Sequence, residues 1–124
     1  MLDKLKQVGI RGPIKNCVKS FMSNRSVVIK CNGQLSERFN LGLGVPQGSI
    51  LGPLLFLVYI NDLPDHMDND VVIMYADDTS ITLSANTPEE LHQKVNKTFE
   101  KMVGWCERNK LVLNDEKTIF LTSI

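Results

Sequence analysis

Two adjacent carboxylates, Asp77 and Asp78, stand between two apolar, β-prone runs. Val71-Val72-Ile73-Met74-Tyr75 leads in and Thr79-Ser80-Ile81-Thr82-Leu83 leads out. Both runs are rich in β-branched residues, which suit strands. The pattern predicts a hairpin over about residues 71–83 with Tyr75-Ala76-Asp77-Asp78 at its turn. Two carboxylates at a fixed tip offer hard oxygen ligands to a divalent cation. Paired cations held this way activate an attacking hydroxyl and steady a leaving group in phosphoryl transfer. The same residues have a plainer use, because an Asp side chain bonds nearby backbone and favours turns. Both readings stay open on these four residues.

Other elements must hold such a tip in place. Asn40 to Gly48 is a glycine-rich loop, and Ser49 after it can cap a helix running to about Asn61. Pro53 falls in the first turn of that helix, where a missing N–H costs little. The helix is apolar nearly all round, so it is expected to be central and buried, and Asp62-Leu63-Pro64 stops it. Thr87-Pro88-Glu89-Glu90 is a capping box with Pro at the first helical position. The helix that follows is expected to bury Leu91, Val95, Phe99, Met102 and Cys106, with Trp105 on the same side, and to end near Asn109. That stripe reads as core packing rather than cofactor contact.

Towards the amino terminus, Leu2, Leu5 and Val8 have helical spacing, closed by Gly9 and Gly12-Pro13. Ile14, Val18, Phe21 and Met22 mark a second short helix ending near Asn24. Val27 to Cys31 and Gln34 to Phe39 flank Asn32-Gly33, a strong hairpin signal because both turn positions tolerate φ > 0. Leu111 to Leu113 and Thr118 to Leu121 are expected to form a last hairpin around Asn114-Asp115-Glu116-Lys117.

A chain of 124 residues is one small domain or a piece of a larger one, and 43% apolar residues permit a core. Net charge is zero, yet residues 1–62 carry 8 Lys/Arg against 3 Asp/Glu (+5) and residues 63–124 carry 6 against 11 (−5). A basic half beside an acidic half suits contact with phosphate on one side and metal on the other, though an ordinary mixed surface gives the same count. Cys17, Cys31 and Cys106 are odd in number with no Cys-x-x-Cys pair, which argues against a disulfide framework and a zinc site. They are expected to be buried small apolar residues in a reducing compartment. His66 and His92 lack metal-ligand spacing. No signal peptide or bilayer-spanning run is evident, so an intracellular protein without membrane contact is expected.

Three segments in order resemble a known family. Gly44-Val45-Pro46-Gln47-Gly48-Ser49-Ile50-Leu51-Gly52-Pro53 resembles a motif of reverse transcriptases. Tyr75-Ala76-Asp77-Asp78 is similar to that family's Tyr-x-Asp-Asp motif, and Trp105, Asn109, Leu111, Leu113, Asn114, Lys117 and Thr118 resemble the palm motif that follows. Leu-Gly-Pro-Leu-Leu-Phe after Ser49, with Tyr59-Ile60-Asn61-Asp62-Leu63-Pro64, is similar to the non-LTR (LINE-type, jockey-like) retrotransposon branch rather than to retroviral or group II intron enzymes.

The resemblance implies roles. Asp77 would be the main metal ligand of the hairpin and Asp78 a second carboxylate, holding Mg²⁺. Two ions are implied in the intact parent, with weak binding in this chain. Ala76 is small and would let a primer end approach the backbone. Tyr75 would pack beneath the tip, unless it is simply a packed strand residue. Pro46, Gln47 and Gly48 would border the templating base pair, where glycine permits backbone approach. The plainer reading of these glycines is a loop. Lys117 would protonate departing pyrophosphate as a general acid, unless it is a solvated turn lysine. RNA template, DNA primer and dNTP are the implied partners.

The implied fold is α+β: residues 1–124 as a partial polymerase palm, a short antiparallel sheet with helices packed on one face. Fingers, thumb and the strand bearing a third catalytic carboxylate have no counterpart in this sequence. Asp3 lies in the first helix and is not promoted to that role. The isolated chain is accordingly expected to be inactive or nearly so, with an open strand edge that invites self-association. A non-catalytic RNA- or protein-binding remnant is the alternative reading.

Overall fold

The computed structural model describes residues 1–42, 44–68 and 71–122. They form an α+β chain that divides into two compact units, Met1–Asn61 and Asp62–Ile124. The short antiparallel sheet consists of three separate two-stranded ladders among the described residues.

In the first unit, α1 (Leu2–Gln7) ends in a left-handed residue, Gly9 at φ +85°. Gly9 N–H donates to Lys6 O at 3.1 Å and Ile10 N–H donates to Leu5 O at 2.8 Å, the paired bonds of a Schellman cap. The turn delivers the chain to α2 (Gly12–Met22), which starts with Pro13 in its first turn. Leu5, Val18 and Leu55 form the buried centre, and Leu2, Ile10, Phe21, Met22, Val45 and Val58 pack on it. Lys4 Nζ donates to Tyr59 O at 2.6 Å and lies 4.6 Å from the Tyr59 ring centroid, tying α1 to α3 (Leu51–Ile60).

The expectation of an all-round buried helix fails for α3. Gly52, Leu55 and Ile60 are buried, but Ile50 is 96% exposed and Leu54 and Leu57 are exposed as well. With the unit's core centred on Leu5, Val18 and Leu55, α3 buries one stripe of an all-apolar surface.

Between α2 and α3 runs a β-ribbon. β1 (Arg25–Val27) pairs with β4 (Phe39–Leu41), and β2 (Lys30–Cys31) pairs with β3 (Gln34–Leu35). Asn32 and Gly33 both have positive φ (50° and 80°), as a two-residue type I′ turn requires. Val27 pairs Phe39 while Lys30 pairs Leu35, so Val28 and Ile29 face three residues, Ser36, Glu37 and Arg38. This is a bulge, and Ser36 stabilises it: its N–H donates to Ile29 O at 2.9 Å while its Oγ accepts from Ile29 N–H at 2.9 Å. The glycine-rich loop follows; Leu43 within it lies outside the described residues.

In the second unit a 3-10 turn at Pro64–His66 lies between buried Leu63 and Met67. The long helix α4 (Pro88–Arg108) packs against that turn and buries Thr98 and Trp105. The expected stripe of Leu91, Val95, Phe99, Met102 and Cys106 is half-buried beside them. Asp68 adds two ion pairs to α4, with Lys97 at 2.9 Å and with Lys101. These two lysines hold the Asp68 carboxyl down to about 2, first through the Lys101 hydrogen bond and then through that of Lys97.

Two expectations are corrected here. Residues 111–113 and 118–121 form no strands, and Asp115–Lys117 is a 3-10 turn. Asn114 Oδ1 accepts from Lys117 N–H at 3.3 Å and Thr118 Oγ1 donates to Asn114 O at 2.8 Å, local bonds that replace a ladder. Phe120 meets Phe99 of α4 at 5.9 Å between centroids instead of a strand partner. Nor are the cysteines buried as expected: Cys17 and Cys31 are exposed and Cys106 is half-buried. Cys17 lies beside Val18, the position that α2 turns inward, and Cys31 abuts the hairpin turn. Among the described residues no helix is long and apolar enough to cross a membrane.

Candidate functional site

The acidic tip closes a five-pair ladder. β5 (Val71–Tyr75) and β6 (Asp78–Thr82) pair from Val71–Thr82 to Tyr75–Asp78, leaving Ala76 and Asp77 as a two-residue loop. Ala76 has φ +52°, the sign that the first central residue of a type II′ turn needs and that glycine usually supplies. A methyl-bearing residue held there stores roughly 1 kcal/mol of backbone strain. Tyr75, Ala76, Asp77 and Asp78 are all exposed, so the carboxylates stand in water with their oxygens available.

Period-two alternation divides the hairpin. Val72, Met74 and Ile81 are half-buried, whereas Val71, Ile73 and Tyr75 share an exposed face. Tyr75 is 82% exposed, so it packs neither beneath the tip nor into a strand core as expected. Period two places Tyr75 on the outward face with Ile73. The exit of β6 is held by α4: Lys94 Nζ donates to Ser84 O at 2.8 Å and pairs with Glu90 at 3.6 Å. The expected capping box is present in part, with the reciprocal bond shifted one residue to Asn86. Thr87 Oγ1 accepts from Glu90 N–H at 3.2 Å, and Glu90 Oε2 accepts from Asn86 N–H at 3.1 Å.

Pro46, Gln47 and Gly48 lie in the first unit, in a segment fixed by hydrogen bonds. Ser49 Oγ donates to Pro46 O at 2.7 Å and accepts from Gly52 N–H at 2.9 Å, so Ser49 caps α3 as its position suggests. Gly48 has φ +74° and Gln47 is exposed above the turn. A Cβ built on Gly52 would stand 2.8 Å from Pro46 O and 3.0 Å from Ser49 Oγ, so only glycine lets the loop backbone lie against α3. Arg25 anchors the other end, donating to Gly44 O at 2.6 Å and to Met22 O at 3.1 Å.

The positioning roles of Gly52 and Arg25 are absent from the sequence reading. Gly52 carried a signal, three residues after a capping Ser inside an apolar helix; Arg25 carried none. Lys117 sits in the 3-10 turn with its side chain exposed, and no ion pair among the described residues joins it to Asp77 or Asp78.

The donor chemistry of the tip fits a hard divalent cation. Mg²⁺ is commonly held by one or two carboxylates, with water and substrate phosphate filling the rest of its shell. No group of three or more His, Cys, Asp or Glu residues assembles among the described residues, so Asp77 and Asp78 could offer a cation two carboxylates and no third side-chain ligand of these types from among them.

Comparison with known proteins turns this geometry into a family assignment. Residues 2–124 match the reverse transcriptase (RNA-dependent DNA polymerase) family. The chain is 31% identical over 126 residues to a probable RNA-directed DNA polymerase from transposon BS of Drosophila melanogaster, covering 96% of this chain and 14% of that protein. It is 31% identical over 112 residues to the RNA-directed DNA polymerase from mobile element jockey of the same species, covering 85% and 12%. The corresponding polymerase from transposon X-element is 26% identical over 119 residues, covering 93% and 13%. The chain thus spans 12–14% of the length of these relatives. No solved structure matches it significantly. An acidic hairpin tip, a capped proline–glycine loop and this continuous match place the chain in the reverse transcriptase (RNA-dependent DNA polymerase) family, in its non-LTR, jockey-like branch.

Proposed function

We propose that this chain is part of the palm of an RNA-directed DNA polymerase, an enzyme that joins dNTPs to a DNA primer on an RNA template. The observation that carries this reading is the position of Asp77 and Asp78 at the turn of an isolated antiparallel hairpin, in a chain matched to the family along its whole length. Asp77 and Asp78 would hold Mg²⁺, two ions in the complete enzyme, which when bound would supply charge neutralisation at the phosphates and lower the pKa of the primer hydroxyl.

The chain's own residues then position substrates. Ala76 presents backbone and a methyl group, leaving room for the primer end. Gly48, with no side chain and positive φ, lets the loop backbone approach the templating pair while Pro46 and Gln47 border it. Exposed Tyr75 is available to contact nucleotide or template beside the acidic tip. Lys117 donates a proton from Nζ to departing pyrophosphate. The outer edges of β5 and β6 have no ladder partner among the described residues, which supports completion by a further strand, from the rest of the polymerase or from a second copy.

Positioning and charge stabilisation dominate phosphoryl transfer, so two carboxylates without the remaining ligands give little turnover. The 124-residue chain alone is expected to extend a primer little or not at all. The test is a chimera in which residues 2–124 replace the matching stretch of an active jockey-type polymerase. A folded chimera should incorporate dNTP on an RNA template and lose about a thousandfold or more in rate on Asp77→Asn. A folded chimera without incorporation, or one indifferent to Asp77→Asn, contradicts the reading.

A further inference from the structure

We infer that the face of α1 and α2 carrying Lys6, Arg11, Lys15 and Lys19 binds the phosphodiester backbone of a nucleic acid. Lys15 and Lys19 stand four residues apart in α2, on one side of the helix about 6 Å apart along its axis, and Arg11 is the extended residue that precedes the helix at the same end as Lys15. Lys6 of α1 lies close enough to Lys15 for the two charges to repel each other. Four cations thus converge from two helices that pack together.

The row is short of counter-charge. Asp3 pairs with Lys6 at 3.5 Å, and among the described residues no ion pair engages Arg11, Lys15 or Lys19. Lys15 is half-buried and its ammonium is held below the ordinary lysine value, first by desolvation and then by the charge of Lys6, with Lys19 adding to the effect and Asp3 opposing it. Crowding like charges is unfavourable in the free protein, and a polyanion relieves it.

The same bias extends across the unit. Residues 1–61 hold eight Lys and Arg against Asp3 and Glu37, a net of +6 in a chain whose total is zero. A membrane surface would need an apolar anchor beside the cations. Ile14 is the exposed large apolar residue of α2, too little for an inserting face.

This surface needs no metal and no carboxylate, so it is separable from the proposed chemistry of the tip. The test is fluorescence anisotropy of a short labelled single-stranded RNA with the full chain, over about 50 to about 200 mM KCl. The triple variant Arg11→Gln, Lys15→Gln, Lys19→Gln keeps side-chain length and helix propensity, and circular dichroism checks its fold. Its affinity at low salt should fall at least about tenfold, and the salt slope should shrink by about 2, since each lost phosphate contact on a single strand removes about 0.7. Lys15→Arg with Lys19→Arg should bind as the parent does. Should the triple variant unfold, Lys19→Glu alone must still lower affinity and slope. An unchanged slope in the neutralised variants overturns the inference, as does binding to phosphatidylserine vesicles without binding to RNA.

Discussion

The two segments that resemble the family's motifs are held in opposite ways. Pro46–Gly52 is tied at several points: the Arg25 guanidinium on Gly44 O, the Ser49 hydroxyl between Pro46 O and Gly52 N–H, and the Gly52 Cα against Pro46 O. Tyr75–Asp78 is held by its own ladder, closed by the Tyr75–Asp78 pair, with all four residues exposed and Ala76 in a left-handed conformation. One is a backbone surface fixed from several sides. The other is a pair of exposed carboxylates at a strained two-residue turn. The contrast shows how hydrogen bonds and a single glycine can fix a loop that little burial supports.

The largest test of this contrast is Gly52→Ala. Its new methyl meets a backbone carbonyl at 2.8 Å, which cannot swing aside as a side chain would. We expect about 2 kcal/mol of destabilisation in urea unfolding, with faster amide exchange across the Pro46–Gly52 loop. A loss below a few tenths would show that the loop is not pinned as described. Ser49→Ala removes one cap and should cost about 1 kcal/mol, again read by urea. At the tip the sign reverses: Ala76→Gly relieves positive φ and should stabilise the hairpin by somewhat under about 1 kcal/mol, reduced by the added freedom of the unfolded chain. Destabilisation there would contradict the strained turn.

The smallest effect concerns what steadies the second unit. Asp68 has a folded value near 2, below its ordinary 3.8, because Lys101 and Lys97 favour the carboxylate. A depressed acid contributes stability that is full above its unfolded value and fades as pH falls through its folded one. Asp68→Asn should flatten the decline in stability between about pH 4 and about pH 2. The pair is exposed, so the change is a small one, best seen as a difference in acid midpoints.

Local signals with strict backbone demands were legible in the sequence. Asn32-Gly33 predicted a primed turn, Thr87-Pro88-Glu89-Glu90 a capped helix, and the runs around Asp77-Asp78 a hairpin; all three are present. Features that depend on competition between local and distant partners were not. The β-prone residues 111–113 lose to the Asn114 side chain, which closes a 3-10 turn. The end of α4 was legible, but its cap was not: Lys110 takes the left-handed position at φ +54°, where glycine is usual. Periodicity could not reveal that an all-apolar α3 would bury one stripe, because that depends on how much partner surface the unit offers.

The central claim is that Asp77 and Asp78 exist to hold a divalent cation. Titration of the labelled chain with Mn²⁺, followed by paramagnetic broadening of amide signals, tests it most directly. The account predicts broadening centred on Ala76 to Thr79 that disappears in Asp77→Asn with Asp78→Asn. Signals at the tip that stay sharp, or broadening that survives loss of both carboxylates, would contradict it.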